Sequence, residues 1–160
     1  MIRLLTPDDW QSFRALRLEG LQQSPYAFAG AYEDESPRDE AVWREKLEKS
    51  RIFGWFSEGV LTGMVGYYSL QGQYLEHRGR MFGMYVQPGM RGQGVGRQLV
   101  EAVLADAIGT LEMMFCGVHD GQEEALRLYL RCGFEIWGVE PNAVKIKGRV
   151  LNCREMARPL

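Results

Sequence analysis

A glycine-rich stretch in the middle of the chain, residues 91–96, has the composition of a phosphate-binding loop. An apolar run from Met81 to Val86 precedes it and predicts a buried strand, which Pro88–Gly89 ends. Apolar residues then recur at helical spacing from Val95 to Ile108 and predict an amphipathic helix. The N–H groups of a first helical turn have no intrahelical partner and carry the positive end of the helix dipole, so this arrangement favours an anion.

Two familiar phosphate-binding motifs do not fit this loop. The chain has no Gly-x-x-x-x-Gly-Lys-Ser/Thr, which excludes the P-loop of nucleotide triphosphatases. Its glycines also differ from the dinucleotide motif Gly-x-Gly-x-x-Gly, because Arg97 stands at the last position and no acidic residue ends a strand about 20 residues later. A glycine-rich turn that binds no ligand is the remaining structural alternative.

Two segments resemble the motifs of the GNAT superfamily of N-acetyltransferases. The order Val86-x-Pro88-x-x-Arg91-Gly-x-Gly94-Val-Gly96 resembles the family's acetyl-CoA-binding loop, whose core is Gln/Arg-x-x-Gly-x-Gly/Ala. Downstream, Gln122-Glu-Glu-Ala125-Leu-Arg-Leu128-Tyr129-Leu-Arg-Cys-Gly133-Phe134 resembles Asn-x-x-Ala-x-x-Leu-Tyr-x-x-x-Gly-Phe, with Gln122 in place of the family's Asn. The motifs stand in the family's order and separation, and the resemblance spans nearly the whole chain.

The resemblance implies a single GNAT N-acetyltransferase domain over residues 1–160. Its fold would be α/β, with a mixed, mostly antiparallel central sheet of about seven strands flanked by about four helices. Acetyl-CoA is the implied cosubstrate, with a bulge in the central strand opening a slot for its pantetheine arm. The residues implied to contact it are Met84, Tyr85, Val86, Arg91, Gly92, Gln93, Gly94, Val95, Gly96, Arg97, Gln122, Ala125 and Tyr129.

Tyr129 is the implied general acid. Acetyl transfer from a thioester requires a proton for the departing thiolate, and a phenol is neutral at pH 7 and can donate to it. The structural alternative is a helix tyrosine that only packs on the core.

The general base is left open by the sequence. Members of the family that modify ribosomal-protein N-termini carry an acid one residue before the valine of the strand preceding the Tyr129 helix, and here that position is Gly117. The candidates are Glu76, His77, His119 and the acidic residues 33–35, and ordered water is a further alternative.

The acceptor cavity of the family corresponds to the region of Phe28, Tyr32 and Glu33. The acidic residues there lead us to expect a cationic small amine as the acceptor, in preference to a peptide.

The remaining elements follow from patterning and turn residues. Thr6-Pro7-Asp8-Asp9 predicts a helix start, Phe28 to Asp39 a linker, and Asp120 the N-cap of the Tyr129 helix. A second helix is predicted from Pro37 to about Lys49, and a closing hairpin turns at Lys147-Gly148.

Composition limits the partners of this 160-residue chain. A net charge of −2 argues against nucleic acid, which needs a basic face. The chain opens without a signal peptide and has no apolar run near 18 residues, so we expect a cytoplasmic protein that does not enter a membrane. Three cysteines without metal-ligand spacing and only two histidines predict reduced thiols and no metal.

Two classes of function are compatible with these residues. The first is an active N-acetyltransferase acting on a small-molecule or peptide amine. The second is a non-catalytic acyl-CoA-binding module that senses or regulates. A homodimer is compatible with either class.

Overall fold

A seven-stranded mixed sheet forms the centre of the computed structural model, which describes residues 1–160. The strands are β1 (Ile2–Leu4), β2 (Arg51–Ser57), β3 (Val60–Ser69), β4 (Arg78–Val86), β5 (Met113–His119), β6 (Glu135–Ile146) and β7 (Arg149–Pro159). The helices are α1 (Trp10–Gln23), α2 (Tyr32–Glu35), α3 (Glu40–Lys49), α4 (Val95–Ala107) and α5 (Glu123–Arg131). The strand order is β1-β2-β3-β4-β5-β7-β6, and only β4 and β5 run parallel. The predicted fold class is confirmed.

Helix α4 packs its apolar face on one side of the sheet. The buried residues of that face repeat at helical spacing and join a core with the inward side chains of β3, β4 and β5. Ile108, which the sequence pattern assigned to this face, instead follows the last helical residue and is exposed. The chain leaves the helix at Gly109 with a φ of 88°, which ends the apolar stripe one residue early.

Helices α1 and α3 cover the opposite side, over β2, β3 and the end of β4. Phe13 of α1 meets Trp43 of α3 edge to face at 5.7 Å, and both are buried. The Asp39 carboxylate caps α3 by accepting from the N–H of Val42 at 3.1 Å, so the helix begins at Glu40 and not at Pro37 as predicted.

Two further sequence predictions need correction. The predicted linker between α1 and α3 contains the short helix α2, because its acidic segment packs one carboxylate, Glu35, against α1. Asp120 does not cap α5; Gln122 occupies that position, and the Asp120 carboxylate accepts from the N–H of Asn152 at 2.9 Å.

The parallel pair β4–β5 is short. Only Arg78, Gly79 and Arg80 pair with β5, opposite residues 113–115, and the strands then separate. On its other side β4 bulges against β3, since Met64 pairs with Tyr85 but Gly66 pairs with Phe82. Two residues thus oppose one, and Gly83 takes a φ of 69° that favours glycine.

Leu99 lies on the buried face of α4, and its substitution tests this packing. Leu99→Ala should lower the free energy of unfolding by about 2–5 kcal/mol, because a fully buried side chain leaves a cavity. Leu130→Ala, at a helical position 46% exposed, should change it by less than about 0.5 kcal/mol. Urea unfolding followed by circular dichroism gives both values, and equal losses would contradict the assignment of the α4 core.

Candidate functional site

The glycine loop presents backbone to the open end of α4. Gly92 and Gly94 have φ values of 75° and 78°, and a β-carbon on Gly92 would meet nothing within 4 Å. Gly94 is the N-cap residue, and no side chain caps the helix. The first-turn N–H groups, including those of Val95, Gly96 and Arg97, are therefore available to an anion.

Side chains of the loop hold it against the end of β4. The Arg91 Nε donates to the carbonyl oxygen of Val86 at 2.9 Å, and Gln93 donates within the loop at 3.1 Å. Arg97 pairs with Glu101 one turn further along α4, at 2.7 Å. These contacts fix the loop at the point where β4 and β5 have already separated.

The gap between β4 and β5 is a slot lined by backbone. Beyond Arg80, β4 has no partner on the β5 side, so the backbone groups of residues 84–86 that face the gap are open to a ligand. Met84 and Val86 pack toward α4, whereas Tyr85 is buried under α1 and its hydroxyl donates to Glu19 at 2.9 Å. Burial, reinforced by Glu19, raises the pKa of Tyr85 to about 12.

Helix α5 brings Tyr129 beside the glycine loop. A β-carbon on Gly96 would lie 3.2 Å from Cδ2 of Leu128, so the first turn of α4 contacts α5 next to Tyr129. The Tyr129 ring is 6% exposed and meets Phe134 edge to face at 5.7 Å. Its hydroxyl makes no hydrogen bond within the protein, and its oxygen reaches solvent, since Nε1 of Trp55 is the one fully buried side-chain polar atom without a partner.

Burial raises the pKa of Tyr129, and the buried thiols of Cys116 and Cys132 add to the shift. The hydroxyl therefore stays protonated well into the alkaline range and can donate a hydrogen bond. Because no group of the protein accepts from it, this hydroxyl is available to a ligand that binds beside it.

The other residues of the second motif lie at the start of α5. Ala125 packs against the α4 core, and its small side chain leaves room beside the loop. Gln122 accepts from the N–H of Leu126 through its carbonyl oxygen, and its side-chain amide makes no hydrogen bond within the protein. An amide without a partner at this position is available to a ligand.

The predicted acceptor residues lie on the opposite side of the sheet, near α1. Phe28 is buried beneath the guanidinium of Arg17, which sits 5.0 Å from the ring centroid. Tyr32 is half-buried and Glu33 is exposed, and both belong to α2. The buried acid of this segment is Glu35, which accepts from Arg17 at 2.8 and 3.0 Å.

A cavity of about 320 Å³ opens on this side, next to the bulge in β4. Its floor contains Met64, Gly66, Phe82 and Gly83 from the sheet. Its walls come from α1, α2, α3 and the loop after α2, and they carry Arg17, Glu35, Arg38, Glu45, Lys46 and Lys49. The cavity and the glycine loop therefore lie on opposite faces of the sheet.

The candidate bases lie in different parts of the structure. Glu76 and His77 are exposed at the start of β4, the end remote from the bulge. His119 is buried at the end of β5, with Nδ1 2.9 Å from the carbonyl oxygen of Tyr26. Burial alone would raise the pKa of Glu35, but the hydrogen bonds and charge of Arg17 outweigh it, so that the pKa lies below its usual value.

A carboxylate that the sequence reasoning missed lies directly opposite Gly117. Glu155 of β7 is the cross-strand partner of Gly117, and its Oε1 would lie 3.3 Å from a β-carbon there. Arg80, the last paired residue of β4, holds this carboxylate at 3.0 Å. β5 carries no acid at this position, but the neighbouring strand β7 brings a carboxylate to the point where β4 and β5 separate.

No cluster of metal ligands and no membrane-spanning helix is found in the chain. No three His, Cys, Asp or Glu side chains come together as metal ligands. None of the helices combines the length and hydropathy that crossing a membrane requires.

Comparison with known proteins places these features in a family. Residues 10–134 match the profile of the "Acetyltransferase (GNAT) family". Among curated proteins, no sequence matches the chain significantly.

Solved structures match over the entire chain. An acetyltransferase of the GNAT family from Streptococcus pneumoniae superposes with a TM-score of 0.88 at 21% identity, covering 100% of this chain and 99% of that one. Ribosomal-protein-alanine N-acetyltransferase from Brucella melitensis gives 0.84 at 20% identity, with coverages of 100% and 99%. The acetyltransferase yncA from Salmonella typhimurium, solved with its cofactor acetyl-CoA, gives 0.85 at 20% identity, with coverages of 100% and 93%.

The glycine loop can be tested with two matched substitutions on α4. We expect acetyl-CoA to raise the melting temperature, and Gly94→Val, which adds a branched side chain to the loop, should abolish that rise. Gly109→Val imposes similar backbone strain, since φ is 88° against 78°, but at the far end of the helix. The control should lose stability and keep the acetyl-CoA shift. A Gly94→Val protein that retains the full shift would contradict the role of the loop.

Proposed function

Because the chain belongs to the acetyltransferase (GNAT) family, we propose that it transfers the acetyl group of acetyl-CoA directly to an amine nitrogen. The observation that supports this best is the Tyr129 hydroxyl, which hydrogen-bonds to no group of the protein, reaches solvent and lies beside the glycine loop. When bound, acetyl-CoA supplies a thioester whose carbonyl carbon is open to attack by an amine.

The residues on the α4 side would hold the cosubstrate. The N–H groups of residues 92–97 would bind its pyrophosphate, with Arg91 adding charge, and the open edge of β4 at residues 84–86 would hydrogen-bond the pantetheine arm. Gln122 would extend its free amide toward the same arm, and Ala125 would leave the space in which it passes. The acceptor enters from the α1 side, so that the two substrates meet in the gap between β4 and β5.

Tyr129 would donate its proton to the sulfur as the carbon–sulfur bond breaks. Its raised pKa keeps it protonated, which a donor requires. A thiolate forming in the same buried place is also destabilised by lost hydration, so its proton affinity rises together with that of the phenol.

Glu155 would accept the proton that the amine loses, directly or through a water molecule. It lies on the acceptor side of the sheet, two residues beyond the last pair of β4 and β5, and Arg80 fixes its position. None of the bases considered from the sequence lies at this point of the sheet.

Tyr129→Phe tests the proton donor. We expect kcat to fall on the order of 10²-fold or more with little change in the KM for acetyl-CoA, because the hydroxyl acts only as the thiolate forms. The melting temperature should not fall, since no hydrogen bond within the protein is lost. Tyr67→Phe is the control, because it removes a hydroxyl bound to Asp106 at 2.7 Å on a remote part of α4.

Thiol release from acetyl-CoA in the presence of an amine panel measures these rates. An unchanged kcat in Tyr129→Phe would assign Tyr129 to packing alone. Tight acetyl-CoA binding without thiol release from any amine would favour the non-catalytic sensor over the enzyme.

Glu155→Gln tests the proton acceptor through the pH profile. The rate at pH 7 should fall on the order of 10²-fold, and the loss should shrink as the pH rises, because the amine is then neutral in solution. Glu123→Gln is the control, since it breaks an ion pair with the adjacent Arg154 on the outside of the sheet. A loss that is the same at every pH would indicate that Glu155 only holds Arg80.

A further inference from the structure

The cavity beside the bulge in β4 carries more positive than negative charge. Its walls hold four cationic and two anionic side chains. Lys49 and Glu45 pair with each other one turn apart on α3. Three cations, Arg17, Arg38 and Lys46, then remain around the single carboxylate of Glu35.

Arg17 has an unused hydrogen-bonding edge that faces the bulge. Its Nε and Nη2 donate to the two oxygens of Glu35, whereas Nη1 has no partner within the protein. Nη1 lies 3.9 Å from the position of a β-carbon on Gly83. The side chain is only 16% exposed, and a largely buried guanidinium with free donors favours an anionic acceptor such as a carboxylate.

Lys46 and Arg38 complete the positive wall. The Lys46 ammonium lies 4.2 Å from the centroid of Phe82 on the cavity floor and forms no salt bridge. Loss of hydration, together with the charge of Arg17, lowers the pKa of Lys46. Arg38 contacts Glu35 only loosely, at 3.8 Å. An anion between these groups would relieve their mutual repulsion.

A purely structural role explains part of this cluster. The bidentate pair of Arg17 and Glu35 fastens α2 to α1, as a buried ion pair with complete hydrogen bonding can. It does not explain the free Nη1 at the bulge or a lysine that forms no salt bridge. Those two features are the basis for a ligand site.

We propose that this cavity binds an anionic group of the acetyl acceptor, a carboxylate or phosphonate, so that the acceptor is a small molecule bearing both an amine and an acid, as amino acids do. The inference rests on the proposed N-acetyl transfer. The free edge of Arg17 lies at the bulge of β4 near Gly83, and a cavity of about 320 Å³ suits a small ligand.

The proposed anion site favours an acceptor different from the cationic amine expected from the sequence. Glu33 is exposed and does not line the cavity, and the carboxylate of Glu35 is already occupied by Arg17. A polyamine would meet three positive side chains with one neutralised acid between them.

The first experiment measures thiol release with the twenty L-amino acids, with the corresponding amino-acid amides and with spermidine. We expect at least one amino acid to react with a kcat/KM at least tenfold above that of its amide and above spermidine. The amide keeps the amine and the side chain and removes only the negative charge. Equal or better rates with amides or spermidine would overturn the proposal.

Substitutions on α3 and just before it show whether the effect belongs to the cavity. Lys46→Met should raise the KM for the preferred amino acid about tenfold or more and leave the KM for its amide and for acetyl-CoA unchanged. Arg38→Gln should act in the same direction. Arg44→Gln is the matched control, because Arg44 lies on the same helix but pairs with Glu40 and Asp8 outside the cavity. Equal changes for acid and amide in Lys46→Met would contradict an anion site.

A binding measurement separates this proposal from the enzymatic one. N-acetyl amino acids have no free amine, so they test the cavity whether or not transfer occurs. Some of them should raise the melting temperature of the wild-type protein, in the presence of CoA, and raise it less in Lys46→Met. If no amine releases thiol but this shift is seen, N-acetyl transfer fails and the anion site stands. Absence of a shift with every N-acetyl amino acid would overturn the anion site.

Discussion

The separation of β4 from β5 after three parallel pairs is the constraint on which the rest of the site depends. Parallel strands normally pair along their length, and each unpaired backbone group in a dry interior costs about 1–3 kcal/mol. The bulge at Gly83 turns β4 away and leaves a gap that water or a ligand must fill. Both layers of helices are arranged around this gap: α4 and α5 on one face, α1 and α3 on the other.

Positive charge is in excess both at the glycine loop and in the cavity beside the bulge, but for different reasons. On the α4 side the charge is a property of the backbone, because unpaired N–H groups and the helix dipole meet at Gly94. On the α1 side it comes from side chains such as Arg17 and Lys46, because the cationic side chains that line the cavity outnumber the carboxylates. The net charge of −2 for the whole chain therefore does not predict the local charge at the glycine loop or in the cavity.

The resemblance of two motifs to the GNAT family predicted the fold, and local patterns predicted the strand, glycine loop and helix around the candidate site. The period of α4, the glycines of its loop and the spacing around Tyr129 are short-range signals, and each appears at the predicted place. Side-chain pairs set by tertiary packing were missed. Asp120 has the right residue type for an N-cap, yet its carboxylate binds Asn152, which is 32 residues away in the sequence. The pair of Arg17 and Glu35 likewise depends on how α2 folds back on α1.

Gly117 shows how the absence of an expected residue can mislead. In the sequence, Gly117 stands where some members of the family carry an acid, so the candidate bases were residues elsewhere in the chain. In the fold, a β-carbon at residue 117 would lie 2.6 Å from the Cys153 sulfur and 3.0 Å from Arg80, closer than packing allows. The space is filled by Glu155 and its guanidinium partner, so the glycine is the residue that lets a carboxylate reach this point from β7. Gly117 and Glu155 lie opposite each other on two neighbouring strands. Only the register of β5 and β7 shows that they belong to the same arrangement.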